Sequence, residues 1–309
     1  MTRARGAAGP KGVGFIMVAV SAAAFGTLAI LASFAYRGGA TVLGVVVLRF
    51  GITALLFWGA LVFRRLPAWP KGLWQLWLLG GMLYALQSVL FLAAVEYTSP
   101  ALAALLFYVY PVLVVVLAAL SGQGAITRTG MMGLASSVLG LVLVLGLSRS
   151  GFTWVGALLG LGTAVVYSVY IVFGQTVIER HDPIVATAHI ALSATVTLGV
   201  VGVITGALDY HRFGPTGFAA SVLIGIIPGA LAIFMFLAGL RRIGAARAAM
   251  LSMLEPVVTV VLSAAVLGEG LTPPQVLGGT AVVAGALASM LPGASQGPPA
   301  ERDRQVGAV

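Results

Sequence analysis

The sequence predicts an all-α polytopic membrane protein: ten transmembrane helices arranged as two inverted five-helix repeats. Three observations predict it. The chain is 60% apolar and 8% charged, where soluble proteins carry roughly a quarter charged residues. Apolar runs long enough to cross a hydrocarbon core of about 30 Å recur along its whole length. The second half repeats landmarks of the first in one register. Barrel strands would alternate polarity in segments of about ten residues, and that pattern is absent.

The spans run 14–34, 41–63, 73–95, 99–120, 130–147, 153–175, 184–206, 217–239, 245–266 and 275–291. Residues 1–13 form an N-terminal segment, 14–147 a first repeat, 153–291 a second repeat and 292–309 a disordered tail rich in Gly, Pro and charge. The basic start (Arg3, Arg5, Lys11) followed by an apolar run imitates a secretory signal, but the run continues to Phe34, longer than a signal core of about 7–15 residues. It reads as a retained first span. Arg37-Gly38-Gly39, Pro67-Ala68-Trp69-Pro70 and Ser99-Pro100 supply turn formers between spans.

An even number of spans puts both termini on one side. Arg3, Arg5, Lys11, Arg64, Arg65, Lys71, Arg128, Arg180, Arg241, Arg242, Arg302 and Arg304 fall on that side, and Arg37, Arg149 and Arg212 fall opposite. The positive-inside rule therefore makes both termini cytoplasmic. Trp69, Trp74 and Trp77 flank the 2–3 loop and Trp154 the opposite interface, as an aromatic belt would.

With an offset of 145, Phe91-Leu92-Ala93 overlies Phe236-Leu237-Ala238, Pro111 overlies Pro256, Gly133 overlies Gly278 and Gly140 overlies Gly285. Five spans per half, an odd number, invert the second half against the first. Inverted repeats place a substrate site near the midplane at the repeat interface, beside broken helices. Pro111 and Pro256 fall in mid-span, and each frees the carbonyl four residues earlier, of Phe107 and Ser252.

Leu254-Glu255-Pro256-Val257, then Leu267-Gly268-Glu269-Gly270-Leu271-Thr272, Gln275 and Gly278 form one ordered set. Tyr97-Thr98-Ser99-Pro100-Ala101 leading to Pro111, with Leu48-Arg49-Phe50 in span 2, form another. Together they resemble the drug/metabolite transporter superfamily, specifically its EamA-type members, over about residues 14–291. Members often carry Trp-Gly in mid span 1, where this chain has Phe25-Gly26. The resemblance implies an inner-membrane carrier that exports amino acids or other small metabolites.

Glu255 is the foremost candidate, because a carboxylate at bilayer depth is costly and marks a functional site by default. It shares a polar stripe with Ser252, Thr259 and Ser263 at helical spacing. It either binds a substrate amine, couples protons, or plugs the carbonyl freed by Pro256. Arg49, inside span 2, either binds a substrate carboxylate, pairs with Glu255, or holds backbone carbonyls of neighbouring helices. His189 shares a face with Ser193 and Thr197, which suits a proton relay or an ordinary packed histidine. Tyr84, Gln87, Tyr108, Tyr110, Tyr167, Tyr170 and Phe25 lie at midplane depth and could wall a pocket for an amphipathic metabolite. Tyr110 stands in register with Glu255.

Small-residue faces on spans 5 (Gly133, Ser137, Gly140) and 10 (Gly278, Ala281, Gly285) suit close packing within a monomer or across a homodimer. The net charge of +9 is spread over short loops, which sets topology and leaves no nucleic-acid surface. The chain has no Cys, no second metal ligand one turn from His189, no Walker loop and no Gly-x-Ser-x-Gly elbow. Thiol or hydrolase catalysis, metal or cofactor binding and ATP-driven pumping are therefore not expected. The reading is a secondary exporter of a small-molecule substrate through the lipid bilayer by alternating access, proton-coupled or facilitative. A passive pore, a lipid scramblase and a non-transporting sensor are the rivals.

Overall fold

The computed structural model describes residues 10–98, 100–123, 127–146, 153–267 and 271–291. The expected disordered tail at 292–309, most of the N-terminal segment 1–13, and the motif residues Gly268, Glu269 and Gly270 lie outside the described residues.

The described chain is helical. We number ten helices, several of them interrupted. Helix α1 runs Pro10–Gly26 and resumes at Leu28–Arg37; α2 is Val42–Phe63. Helix α3 runs Leu73–Trp77, widens into a π segment at Leu78–Tyr84 and continues over Ala85–Tyr97. Helix α4 is split into Pro100–Phe107 and Tyr110–Leu120; α5 is Arg128–Leu145, α6 Trp154–Ile178 and α7 Pro183–Thr205. Helix α8 runs Pro215–Ile224, a π segment Gly225–Leu231 and Ala232–Ile243. Helix α9 is split into Ala245–Ser252 and Leu254–Leu267, and α10 is Pro273–Met290.

Nine of these helices are long and apolar enough to cross a membrane. Helix α10 falls short because it opens on Pro273-Pro274-Gln275, yet it packs along α5 and completes the bundle. The chain is a multi-pass membrane protein. Several helices outrun their expected spans: α1 starts four residues early, and α8 reaches Ile243 rather than residue 239. Local caps explain three of the starts. Thr41, Thr127 and Thr153 each accept a hydrogen bond from the amide of a glycine three residues on, at 3.2, 3.5 and 3.0 Å.

We call the side where α1 begins proximal and the other distal. The packing follows the inverted repeat: α1 lies on α8 as α6 lies on α3, while α2 packs on α7 and α5 on α10. The two π segments fall 147 residues apart, one on α7 and the other on α2. The splits in α4 and α9 also correspond, since Phe107 and Ser252, the last residues before each, are 145 apart. Each proline then sits in the first turn of the new segment, where its missing N–H costs nothing.

The α5–α10 crossing lies on the pseudo-twofold axis. Ser136 Oγ donates to the Ala281 carbonyl at 2.9 Å and Ser137 Oγ to the Val282 carbonyl at 3.4 Å, each contact joining positions 145 apart. Gly133 faces Gly285 and Gly140 faces Gly278 across it. Of the two uses expected for these faces, packing within one chain is the one the structure shows, and a side chain at these glycines would meet the facing backbone.

The halves of α4 and α9 meet unequally. Tyr110–Leu120 packs against Ala245–Ser252 at the proximal side, and Ala248 to Met253 are all buried. The distal segments make much less contact, and residues 257–260 are partly exposed. The molecule is shut proximally between these helices and looser distally.

A side chain at Gly140 would sit 2.5 Å from the Gly278 carbonyl, whereas Gly59 has nothing within 4 Å of where its Cβ would be. Gly140→Val is expected to cost about 1–3 kcal/mol through overpacking. Thermal denaturation followed by size-exclusion chromatography should show a lowered melting temperature for Gly140→Val and none for Gly59→Val.

Candidate functional site

The site is assembled where backbones are interrupted. The split in α4 leaves Phe107, Tyr108 and Tyr110 at its ends, and the split in α9 leaves Ser252 and Glu255 at its own. The Tyr108 hydroxyl and the Glu255 carboxyl are hydrogen-bond partners, as are Tyr110 and Ser252, so the two half-sites meet pairwise. Ser252 Oγ also donates to the Ala248 carbonyl at 2.9 Å. Tyr108, Tyr110 and Ser252 are buried, but Glu255 is partly exposed although protein surrounds it. That combination describes a carboxyl lining an opening rather than one sealed in a core.

An aromatic wall runs away from Glu255. Tyr110 meets Tyr167 edge-on at 4.9 Å between ring centroids, and Phe107 lies 5.3 Å from Tyr167. Tyr167 stacks on Tyr170 at 5.6 Å, Tyr170 on Tyr84 at 5.1 Å, and Tyr84 meets Phe50 edge-on at 5.0 Å. Such edge and offset arrangements are the favoured ones for aromatic rings. At the far end stands Arg49, its guanidinium 5.4 Å from the Phe25 ring centroid and 5.3 Å from that of Phe50. Gln87, one turn beyond Tyr84, is buried beside this wall.

Arg49 and Glu255 do not form an ion pair, which corrects that expectation. Arg49 Nη2 instead donates to the Pro228 carbonyl at 3.1 Å and to the Tyr84 hydroxyl at 3.3 Å. Thr53 Oγ1, one turn on, lies 2.8 Å from the Arg49 carbonyl and 3.3 Å from the Gly225 carbonyl, so its one proton is shared between them. Helix α2 thus satisfies the carbonyls that the α8 π segment turns outward. One buried donor, Arg49 Nε, has no partner. The charges of Arg49 and Glu255 still act on each other across the gap.

Helix α1 contributes through its break at Thr27. Thr259 Oγ1 lies 3.1 Å from the Gly26 carbonyl and 3.1 Å from the Glu255 carbonyl, tying that break to the segment that carries Glu255. Gly26 packs against Val258, where a Cβ would come within 2.7 Å.

His189 does not join the site. Its Nε2 lies 2.9 Å from the Ala68 carbonyl, and its ring is flanked by Trp58 at 5.1 Å and Trp69 at 6.4 Å, at the proximal end of α7. Ser193 and Thr197 face Gly80 and Gly81 of the α3 π segment rather than continuing a relay from His189. Phe50, Phe107 and Thr53 belong to the site and were not expected there. Phe50 adjoins Arg49, and the Phe107 ring precedes the split whose carbonyl was the visible signal.

Inverted repeats whose helices break at midplane are a transporter architecture. The profile of the EamA-like transporter family matches residues 12–146 and again 154–291, and the chain belongs to that family. It is 28% identical over 197 residues to an uncharacterized transporter of Archaeoglobus fulgidus, covering 64% of this chain and 69% of that one. It is 24% identical over 277 residues to the uncharacterized transporter YcbK of Bacillus subtilis, covering 86% and 88%. The threonine/homoserine exporter RhtA of Escherichia coli strain K12 is 28% identical over 158 residues, half of this chain and 52% of the exporter. A solved crystal structure superposes with a TM-score of 0.76 at 21% identity, covering 89% of this chain and 96% of that one, which shows the shared fold.

Arg49→Ala would leave the Pro228 carbonyl and the Tyr84 hydroxyl without their buried donor. The expected loss is about 1–3 kcal/mol, with Tyr84→Phe losing less because Arg49 keeps Pro228. Melting temperatures of the two purified variants should rank in that order below wild type.

Proposed function

We propose that this transporter is a secondary exporter of amino acids or closely related amine-bearing metabolites, working by alternating access between its two repeats. The observation that carries the reading is a carboxyl and a guanidinium in one aromatic-walled site that feel each other's charge without pairing. A zwitterion has the charges to bridge them. Its ammonium would meet Glu255 and the faces of the neighbouring tyrosines, and its carboxylate the unpartnered Arg49 Nε–H. The apolar part of the substrate would lie on Phe107 and Tyr167.

Alternating access has structural support in the unequal meeting of α4 and α9, shut proximally and looser distally. Exchanging the roles of the two repeats would open the proximal side instead. The excess of basic residues in the proximal loops supports a cytoplasmic proximal side in a bacterial inner membrane. The match to a threonine/homoserine exporter is in keeping with the substrate class. Glu255, present in one half only, is the natural group to trade a proton for the substrate ammonium.

Cells overexpressing the wild type should resist the toxicity of one class of amino acid, and cells expressing Glu255→Gln at equal membrane levels should not. In proteoliposomes the same compound should show saturable counterflow, which a pore or a scramblase would lack. Full protection by Glu255→Gln would remove Glu255 from the mechanism.

Phenylalanine in place of Tyr84, Tyr108 or Tyr167 should raise the half-saturating concentration at one or more of these positions, by roughly 5- to 10-fold for the loss of one hydrogen bond. Unchanged saturation curves at all three would empty this pocket of substrate.

A further inference from the structure

The loop between α2 and α3 is held to the proximal side by two histidines with different needs. His189 offers Nε2 to the Ala68 carbonyl, while its Nδ1 has no partner, an arrangement that one N–H satisfies. His181, 7% exposed in the α6–α7 corner, lies between two carbonyls. Its Nε2 is 2.9 Å from the Lys71 carbonyl and its Nδ1 2.7 Å from the Val177 carbonyl. A carbonyl oxygen only accepts. Both contacts are hydrogen bonds only when both ring nitrogens carry protons, as in the imidazolium form; a neutral ring makes one of them.

Charged residues flank this ring in the chain or through its contacts: Lys71, whose carbonyl it meets, on the α2–α3 loop, and Glu179, Arg180 and Asp182 in the corner itself. Arg241 of α8 donates through Nη1 to the His181 carbonyl at 3.1 Å, and His189 of α7 is close enough to sense its charge. The Glu179 carboxylate is engaged by Gln175 at 3.1 Å, and Asp182 Oδ1 caps α7 through the Ile184 amide at 2.8 Å. His181 is thus a node joining the α2–α3 loop, the α6–α7 corner and the end of α8.

On the distal side the matching junction is made between glycine backbones, with the Tyr210 hydroxyl of the α7–α8 loop donating to the Gly44 carbonyl at 3.5 Å beside it. There the Gly38 carbonyl accepts the Gly214 amide at 2.8 Å, and the Gly38 and Gly217 backbones touch. The distal contact is glycine backbone joined by a phenol hydroxyl, whereas the proximal one runs through an imidazole.

We propose that His181 is a proton-dependent latch on the proximal side. With two N–H groups it ties the α2–α3 loop to the α6–α7 corner and favours the proximally shut state. Only the Nε2–Lys71 contact crosses to the loop, since Val177 lies on α6 one turn before His181. After loss of one proton to water the remaining N–H is divided between the two carbonyls, which weakens the loop tie and shifts the population toward the proximally open state. The latch rests on the alternating-access reading, but its test needs no substrate.

The chain has no cysteine, so one introduced thiol is the only thiol. Ala249 is fully buried in the proximal closure, and Ser121 is exposed on the same side. The ratio of labelling rates for Ala249→Cys and Ser121→Cys by a small water-soluble maleimide, in nanodiscs, reports proximal opening. The ratio also cancels the ordinary pH dependence of thiol reactivity. Between pH 6 and pH 8 it should rise on the order of 2- to 10-fold, the weight of one hydrogen bond. Adding His181→Gln should make it high at both pH values, and His181→Lys, a permanent cation with three donors, low at both. His189→Gln should keep the rise. A flat ratio in the otherwise unaltered protein, or the same rise in His181→Gln or His181→Lys, would overturn the latch. A latch that fails beside intact counterflow leaves the transport reading standing; a working latch without counterflow sinks only the latter.

Discussion

Inside a bilayer every backbone carbonyl needs a partner, and the site exists because this chain departs from regular helix in several places and satisfies some of these departures from a neighbour. Helix α2 does this for the α8 π segment through Arg49 and Thr53. Ser21 of α1 donates to the Ala232 carbonyl at 2.8 Å, just past the same segment. Thr259 does it for the α1 break, and Ser168 Oγ, bonded first to the Ala164 carbonyl at 2.6 Å, lies 3.2 Å from the Tyr110 carbonyl at the α4 split. The polar atoms gathered at midplane are therefore mostly structural. What remains unsatisfied among them, Arg49 Nε and the open side of Glu255, stands out against that background.

The same constraint explains what the residues revealed in advance. Glu255, Arg49 and the two register-matched prolines are conspicuous because an ionisable or helix-breaking residue in an apolar run has few reasons to be there. The spans were legible from the apolar runs and the inversion from their odd number per half, and the register of the prolines pointed to the half-site tyrosines. The π segments were not legible: Gly80-Gly81 and Gly225 are unremarkable in a chain with 41 glycines, and π geometry has no periodic signature of its own. Pro228, a third mid-span proline, is the signal that could have located one of them. The break at Thr27 has no proline at all and depends on Thr259, which is 232 residues away in sequence. Likewise nothing local to Arg49 tells that its partner is a carbonyl of α8 rather than Glu255.

The frame is nearly symmetric and the chemistry is not. Position 110 carries a tyrosine where position 255 carries the carboxylate, and α1 is broken where α6 is continuous. The two ends differ in the same spirit, with glycine backbone at the distal junction and histidine at the proximal one. A symmetric frame makes two opposed states similar in energy, and these one-sided residues are what can bias the balance.

The α5–α10 crossing carries a different implication. Where residue i meets residue i + 145, the surface is complementary to itself, which is the defining property of an isologous contact. A free-standing five-helix chain with this face would have been able to associate with an oppositely inserted copy of itself. Joining two copies in one polypeptide frees each from having to be its own mate. Ser137 and Val282 record that freedom: they occupy equivalent places on the axis, yet one is polar and the other apolar, because a hydroxyl-to-carbonyl bond requires a hydroxyl on one side only. The glycines, which both sides need for steric reasons, have stayed alike.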